Sequence, residues 1–492
     1  MNRFAKRNIS PATVGVVLVL LLVVANGMRS ANVKQWVTLI QSGLYLASIT
    51  FLVASGFSLI FGLMDVLNFA HGTILMFGAY AGYTVFANPR LFLNTMPLVV
   101  VMFGVAWAVG MGAAWRATGW RRWLALAALG LFLWLGWRHI PLEALRAFAG
   151  TSVGGAVPTA EAQEPLGRML MRVLWLVAAG ATLGVLLPPL HVRAGVRRRV
   201  WLALGVLLGA AVMVLPARTA LEQGILALPT DVRFVIALLV GAGTGAVLGA
   251  LLEWGLIRPL YARPIYQILL TLGLVFVGAE LVKLVWGQAA YPPMPAPSLF
   301  AERCTSASFA AWLSEHCSAV KVLGRNVPTY RLFVVGIALA TFLAVGLLLQ
   351  RTRLGLIIRA GVEDDSMVQA LGIDVRRVFT LVFALGSALA ALGGVVLAPV
   401  EGLDPGMGFR FLLAAVIAVV IGGMGRYSGA ALGALLVGLG RAMFDFWGAV
   451  GYPLPGGHTW YFSPTVAEAS TVIIMAIVLL IRPSGLLGES DE

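Results

Sequence analysis

The residues best suited to do chemistry form a polar island in an apolar stretch, GFSLIFGLMDVLNFAHGTILMFGAY, at residues 56–80. Its polar members are Asp65, Asn68 and His71, and glycines flank them. Polar groups at membrane depth need partners or water, so such an island lines a pathway or caps a broken helix. The alternative is a tight turn between two helices, in which Asp65 and Asn68 act as capping residues.

A second interrupted segment, IGGMGRYSGAALGALLVG, occupies residues 421–438. Its glycine-rich beginning predicts a turn or an unwound break near a translocation path, and its later small residues predict close helix packing. Two interrupted segments in two halves of a chain are a weak signature of a transporter. The predicted substrate path therefore consists of Asn68, His71, Gly72, Gly422, Gly423 and Gly425.

A long charged loop, RTRLGLIIRAGVEDDSMVQALGIDVRR, lies between two apolar spans at residues 351–377. We predict a short helix from Glu363 to Leu371, with acidic residues in its first turn and Gly372 at its end. Met367, Val368 and Leu371 would form an apolar stripe that seats in a groove of a soluble partner. The alternative is an ordinary loop whose stripe folds against the membrane.

The only two cysteines, Cys304 and Cys317, lie in a long loop at residues 288–330 that we predict to be external. A disulfide between them is expected in an oxidising compartment, and two free thiols are the alternative.

The elements that position these groups are membrane spans, because 60% of the 492 residues are hydrophobic and only 11% are charged. A span needs roughly 20 apolar residues. The sequence predicts an all-α polytopic membrane protein with about fourteen apolar segments. They lie near 12–28, 36–61, 73–87, 97–115, 122–138, 169–190, 200–216, 233–254, 265–286, 332–350, 378–399, 410–424, 428–446 and 466–481, and the short ones at 73–87 and 410–424 are candidates for half-helices.

The net charge of +14 comes from basic residues in short loops, which indicates membrane topology rather than nucleic-acid binding. Three basic residues precede the apolar run at residues 11–25, which is either a cleaved signal peptide or, as we predict, an uncleaved first helix. Both termini are predicted to be cytoplasmic. The sequence contains no Gly-Lys-Ser/Thr motif, so any ATP chemistry must come from a separate chain.

Five segments, in order, resemble the permease subunits of branched-chain amino acid ABC importers (Liv H-type permeases) and the closely similar urea permeases. They are GLYLASITFLVASGFSLIFGLMDVLNFAHG, EWGLIRPLYARP, the block from RTRLGLIIRAG to GGVVLAP, IGGMGRYSGAALGALLVGL and the tail RPSGLLG. Two positions depart from the family pattern near the expected path, namely Thr73 and the segment 408–413.

The resemblance implies an ABC importer permease core with an extra helical insertion. The parts would be an N-terminal extra helix at 1–35, a first core part at 36–90, inserted helices at 91–231, a second core part at 232–488 and a tail at 489–492. It also implies that coupling to the ATPase falls on Arg359, Glu363, Asp364, Met367, Ala370, Leu371 and Gly372.

The function implied is that of a transport subunit in the bacterial inner membrane, not an enzyme, that carries branched-chain or other small amino acids. Its expected partners are a second, M-type permease, two ABC ATPase subunits that bind the ATP and magnesium, and a periplasmic substrate-binding protein, with no cofactor in this chain and no nucleic acid. The alternatives are a permease for urea or a short amide and, from another class, an ion-coupled secondary transporter or channel that works alone.

Overall fold

The structure is a computed structural model that describes residues 26–27, 29, 31–64, 67–112, 119–137, 166–186, 194–261, 263–363, 365–454 and 458–488. Most of these residues are helical, and the predicted all-α polytopic fold is confirmed. The helices of the first half are α1 (Val33–Met64), α2 (His71–Ala87), α3 (Pro89–Gly112), α4 (Trp120–Trp137), α5 (Leu166–Leu186), α6 (Ala194–Ala227), α7 (Thr230–Leu252) and α8 (Pro264–Trp286).

Two short turns join α7 to α8, a π-helical turn at Glu253–Ile257 and a 3-10 turn at Arg258–Leu260. The second half begins with a 3-10 turn at Ser298–Phe300. Its other elements are β1 (Glu302–Ser306), α9 (Phe309–Glu315), β2 (Cys317–Val322), β3 (Arg325–Pro328), α10 (Thr329–Arg351), α11 (Arg353–Glu363), α12 (Asp365–Ala370), α13 (Val375–Glu401), α14 (Met407–Gly422), α15 (Tyr427–Val450), β4 (Tyr452–Pro453), β5 (Thr459–Trp460) and α16 (Pro464–Ile481).

Eight helices of the described chain are long and apolar enough to cross a membrane, or nine if the bent helix α6 counts as one span. Thirteen of the predicted segments correspond to helices, whereas the segment 12–28 lies almost entirely outside the described residues. We expected the apolar segment that corresponds to α6 to end near residue 216. It instead continues to Ala227 with a bend of 76° at Pro216, because proline removes a backbone hydrogen bond without requiring the helix to stop.

The chain forms two compact units, and the first comprises Met1–Tyr80, Leu238–Leu281 and Pro295–Glu492. Helix α1 lies at its centre and contacts α10, α13, α14 and α15. Small residues allow these backbones to approach closely, as is usual where lipid replaces water. A Cβ added to Gly386 of α13 would lie 2.7 Å from the carbonyl oxygen of Gly56, and a Cβ on Gly438 of α15 would lie 2.6 Å from the Cα of Ala47.

The second unit comprises Ala81–Ala237 and Val282–Met294 and includes the predicted insertion at 91–231. Within it, α3 packs against α5 and α6, and α4 packs against α5. Leu98 and Leu176 form the buried contact between α3 and α5, and the Phe132 ring stacks on Trp175 at 5.8 Å. These contacts give the inserted helices a core of their own.

The first unit carries a small sheet in which β1 pairs with β2 in parallel and β2 pairs with β3 in antiparallel fashion. Cys304 of β1 is bonded to Cys317 of β2 through a disulfide. We call the end of the first unit that bears this sheet the cystine end. The opposite end, where residues 482–488 pack against the C-terminus of α14, is the tail end. Helix α1 runs from the cystine end to the tail end, since Lys34 lies beside Gly324 and Gly62 lies beside Gly425.

Candidate functional site

The N-termini of two short helices meet inside the first unit. Helix α2 has 17 residues and α14 has 16, and both are shorter than the roughly 20 residues of a full span. A Cβ added to Gly408, the second residue of α14, would lie 2.8 Å from the carbonyl oxygen of Gly72, the second residue of α2. The two backbones therefore touch, and the positive ends of two helix dipoles lie side by side. We call this contact the α2–α14 junction.

His71 shows how deep the α2–α14 junction lies. Its Nε2 is 3.2 Å from the carbonyl oxygen of Val53 in α1. Because a carbonyl only accepts, Nε2 carries the proton and donates this hydrogen bond. Val53 lies about 16 Å, at 1.5 Å per residue, before the end of α1 at Met64. That distance is about half of the roughly 30 Å thickness of a hydrocarbon core, so α2 begins deep inside the helix bundle rather than at its tail end.

The polar groups at the α2–α14 junction are buried and available for bonding. Asn68 and His71 are both fully buried. Within the described residues, both amide atoms of Asn68 and the Nδ1 of His71 have no hydrogen-bond partner. An unpaired buried polar group costs about 1–3 kcal/mol, so Asn68 and His71 are candidates to bond a polar solute. Asp65, the third polar residue of this segment, lies outside the described residues.

Both departures from the family pattern fall at the α2–α14 junction. The Thr73 side chain packs against Gly278 of α8, and its hydroxyl group is buried. In the segment 408–413, Gly408 and Leu412 contact Gly72 directly. Substitutions at these positions therefore act on the site where the buried polar groups of α2 lie.

The predicted turn at Gly422, Gly423 and Gly425 is present but lies at the other end of α14. Gly423 and Gly425 have positive φ angles of 102° and 82°. The backbone N–H groups of Leu486 and Leu487 donate to the carbonyl oxygens of Ile421 and Gly422 at 2.8 and 3.0 Å. The 16 residues of α14 separate this turn from Gly72 by about 20 Å. The structure therefore brings Asn68, His71 and Gly72 together, but not with the three later glycines.

The charged loop folds as two short helices at the tail end. Helix α11 packs on the core through Ile358, which contacts Leu59, Val345 and Val382. Helix α12 ends at Ala370, which is exposed, and Gly372 has a φ of 81°. The N–H of Gly372 donates to the carbonyl oxygen of Gln369 at 2.9 Å, so the glycine closes the helix as predicted.

Two expectations for this loop were wrong. Glu363 is the last residue of α11 rather than part of the first turn of the next helix, which begins at Asp365. Asp364 itself lies outside the described residues. The apolar stripe is also split, since Val368 is 3% exposed whereas Met367 and Leu371 are 62% and 74% exposed. Val368 anchors α12 on the protein, and the other two side chains, like that of Arg359 in α11, are exposed.

A fully buried carboxylate at the tail end was missed by sequence reasoning. Glu253 begins the π-helical turn after α7 and has no exposed surface. The guanidinium of Arg258 donates to both of its oxygens, at 3.0 and 2.8 Å. The hydroxyl groups of Tyr261 and Thr380 donate to them at 2.5 and 2.7 Å. Burial, followed by the hydrogen bond to Glu253, raises the pKa of Tyr261, so the phenol remains a donor.

This network, which we call the Glu253 cluster, ties the end of α7 to the start of α13. Arg258 also donates to the carbonyl oxygen of Arg376, next to the charged loop. The sequence signal was the segment EWGLIRPLYARP, whose arginines belong to the basic residues of short loops that we took to indicate membrane topology. An acid and a base five positions apart do not face each other on an α-helix. The π-helical turn brings them together, and it was not visible in the sequence.

We expect Gly72→Ala and Gly408→Ala each to reduce transport at least tenfold. Each added methyl would lie inside the contact distance of the other helix, and overpacking costs about 1–3 kcal/mol. Initial uptake rates in reconstituted vesicles provide the measurement. The matched controls are Gly336→Ala and Gly273→Ala, where a Cβ meets nothing within 4 Å. Equal rates for all four variants would show that the junction is not on the path.

A family profile described as "Branched-chain amino acid transport system / permease component" matches residues 118–482 of this chain. The match begins inside the predicted insertion and leaves out the first of the five segments quoted above. No solved structure matches the chain.

Curated relatives match shorter parts of the chain. The high-affinity branched-chain amino acid transport system permease protein LivH of Escherichia coli (strain K12) is 29% identical over 34% of this chain and 50% of the relative. BraD of Pseudomonas aeruginosa, a permease protein of the same kind of system, is 35% identical over 30% of this chain and 43% of the relative. The ribose import permease protein RbsC of Escherichia coli (strain K12) is 29% identical over 42% of this chain and 59% of the relative.

The chain thus spans about half the length of the curated relatives that it matches. The family profile, in contrast, covers well over half of this chain. The membrane helices of the described residues agree with a transport permease. The chain belongs to the family of permease components of branched-chain amino acid transport systems.

Proposed function

We propose that this chain is the membrane subunit of an ATP-driven importer and forms part of the path for branched-chain or other small amino acids. The other subunits of the importer are two ATPases, a second permease and a substrate-binding protein. The observation that carries the proposal is the exposed pair Met367, in helix α12, and Leu371, directly after it, with the helix itself anchored to the core through Val368. Exposed apolar side chains beside an anchored helix can bind a groove of a protein partner, and the anchor transmits the partner's movement to the core.

The orientation follows from two chemical arguments. Disulfides persist in oxidising compartments, so the cystine end faces the periplasm. Short basic loops remain in the cytoplasm, and the tail end carries the arginines at 351, 353, 359, 376 and 377. The tail end is then the side that meets the ATPases, and the protein lies in the bacterial inner membrane with its C-terminus in the cytoplasm.

The proposed mechanism is alternating access at the α2–α14 junction, with no covalent chemistry in this chain. ATP binding in the partners displaces α12, and the Glu253 cluster passes the displacement to α7 and α13. Helix α13 contacts α1 at Gly386 and Gly56, beside His71. A shift of α13 therefore changes the space around the buried groups of α2. Asn68 and His71 supply hydrogen bonds to a passing solute, and the partners bind ATP and magnesium.

Uptake with and without the ATPases tests this function. We expect vesicles that hold the full complex to accumulate L-leucine only with ATP inside, and vesicles that hold this chain alone to accumulate none. Urea and ribose serve as competing solutes. Uphill uptake by the isolated chain under a proton or sodium gradient would support a secondary transporter instead. ATP-dependent uptake of urea without uptake of leucine would support the urea permease alternative.

A further inference from the structure

A cavity of about 580 Å³ opens at the cystine end of the first unit. It lies among the first turns of α1, strand β3, the N-terminus of α10 and the C-termini of α13 and α15. It is separate from the α2–α14 junction, since none of the residues of that junction lines it. Its volume is sufficient for a small organic solute.

The walls of this cavity carry charges of both signs. Lys34, Arg325 and Arg331 provide positive charge, and Glu401 and Asp445 provide negative charge. These residues come from five different elements, so the fold rather than local sequence collects them. The rest of the lining includes apolar side chains, among them Leu39, Leu46 and Phe446.

Tyr45 is the group that points to a ligand. It lines the cavity and is 3% exposed, and its buried hydroxyl group has no hydrogen-bond partner in the part of the chain that the structure describes. The guanidinium of Arg331 lies 5.0 Å from the centre of its ring. Arg331 and Glu401, one positive and one negative, line the same cavity as Tyr45. An unpaired hydroxyl in a wall that carries both charges can donate a hydrogen bond to a charged solute.

We propose that this cavity binds the zwitterion of an aliphatic α-amino acid before the solute enters the membrane path. Arg331 and Arg325 hold the carboxylate, with the Tyr45 hydroxyl as a third donor. Glu401 and Asp445 hold the ammonium group, and the apolar part of the wall takes the side chain. Neutral solutes such as urea or ribose gain nothing from paired opposite charges. This assignment rests on the proposed importer function and adds an outer binding site to it.

The test uses the complete importer, reconstituted in vesicles, with the variants Arg331→Gln, Glu401→Gln and Tyr45→Phe. We expect the first two to raise the KM for L-leucine transport at least tenfold at unchanged kcat, and the third to raise it about threefold. Leucinamide and isovalerate, each of which lacks one charge, should compete at least tenfold less well than L-isoleucine. The matched controls are Arg303→Gln and Glu302→Gln, exposed residues of β1 outside the cavity.

The outcomes separate this site from the importer function as a whole. If the wild-type complex transports leucine and all variants share its KM, the outer site is wrong and the importer function stands. If the wild-type complex transports no amino acid, the function itself fails. The variants could instead lose only the stimulation of ATPase activity by the binding protein, while leucinamide competes as well as L-isoleucine. The charges would then form a docking surface for the binding protein, and the assignment of an amino acid site would be overturned.

Discussion

The double variant Arg359→Glu/Leu371→Ala should lose ATPase binding by about 100-fold or more and lose transport with it. Leu371 is 74% exposed, and burying a leucine at an interface contributes about 1.5–3 kcal/mol. Reversing an interfacial charge replaces an attraction with a repulsion, and close charge pairs couple by about 1.5–7 kcal/mol. Together these exceed the roughly 2.8 kcal/mol that corresponds to 100-fold. Pull-down of the ATPases by the tagged, membrane-inserted chain is the measurement.

The control for this experiment carries the same chemical changes elsewhere. Arg303→Glu/Leu347→Ala alters an exposed arginine at the cystine end and an exposed leucine of α10. Its ATPase binding and transport should remain within twofold of the wild type. The Arg359 variant should also insert normally, because neither changed side chain is buried. If the Arg359→Glu/Leu371→Ala chain recovers the ATPases at the wild-type level, the loop does not couple this chain to them.

The sequence was sufficient to predict the elements whose signal is local. Long apolar runs predict helices wherever water is absent, and thirteen of them were found. Gly372 ends α12 because a positive φ at a helix C-terminus favours glycine, which is a property of the residue itself. The positions of the helices and of some helix ends therefore follow from the local sequence.

The parts that depend on contacts between distant segments were not predictable in this way. The face of α12 that anchors it was misjudged, because only the position of α12 on the core decides that Val368 points inward. The two interrupted segments were expected to share a site, yet Gly72 meets Gly408 and the later glycines meet the tail. Glycine patterns show that backbones approach closely but not which backbone is the neighbour.

The Glu253 cluster offers the second large effect, through the variant Glu253→Gln. The glutamine keeps the volume but loses the charge opposite Arg258, and its NH2 group cannot accept the Arg258 N–H that a carboxylate oxygen accepts. Breaking one partner of a buried pair costs about 3–5 kcal/mol. We expect a loss of that size in the free energy of unfolding of the detergent-purified chain, measured by denaturant titration. Transport per ATP hydrolysed should also fall, because α7 and α13 would no longer move together.

A second ion pair of equal length is the matched control. Arg377 and Asp374 also lie 2.8 Å apart, but their side chains are 85% and 50% exposed, whereas Glu253 is fully buried. Exposed pairs contribute about 0–1 kcal/mol, so Asp374→Asn should cost less than 1 kcal/mol and leave coupling unchanged. The double variant Glu253→Gln/Arg258→Gln should recover part of the stability, because it leaves no unpaired charge, but not the coupling. Equal losses for Glu253→Gln and Asp374→Asn would mean that burial of the carboxylate plays no part in either stability or transport.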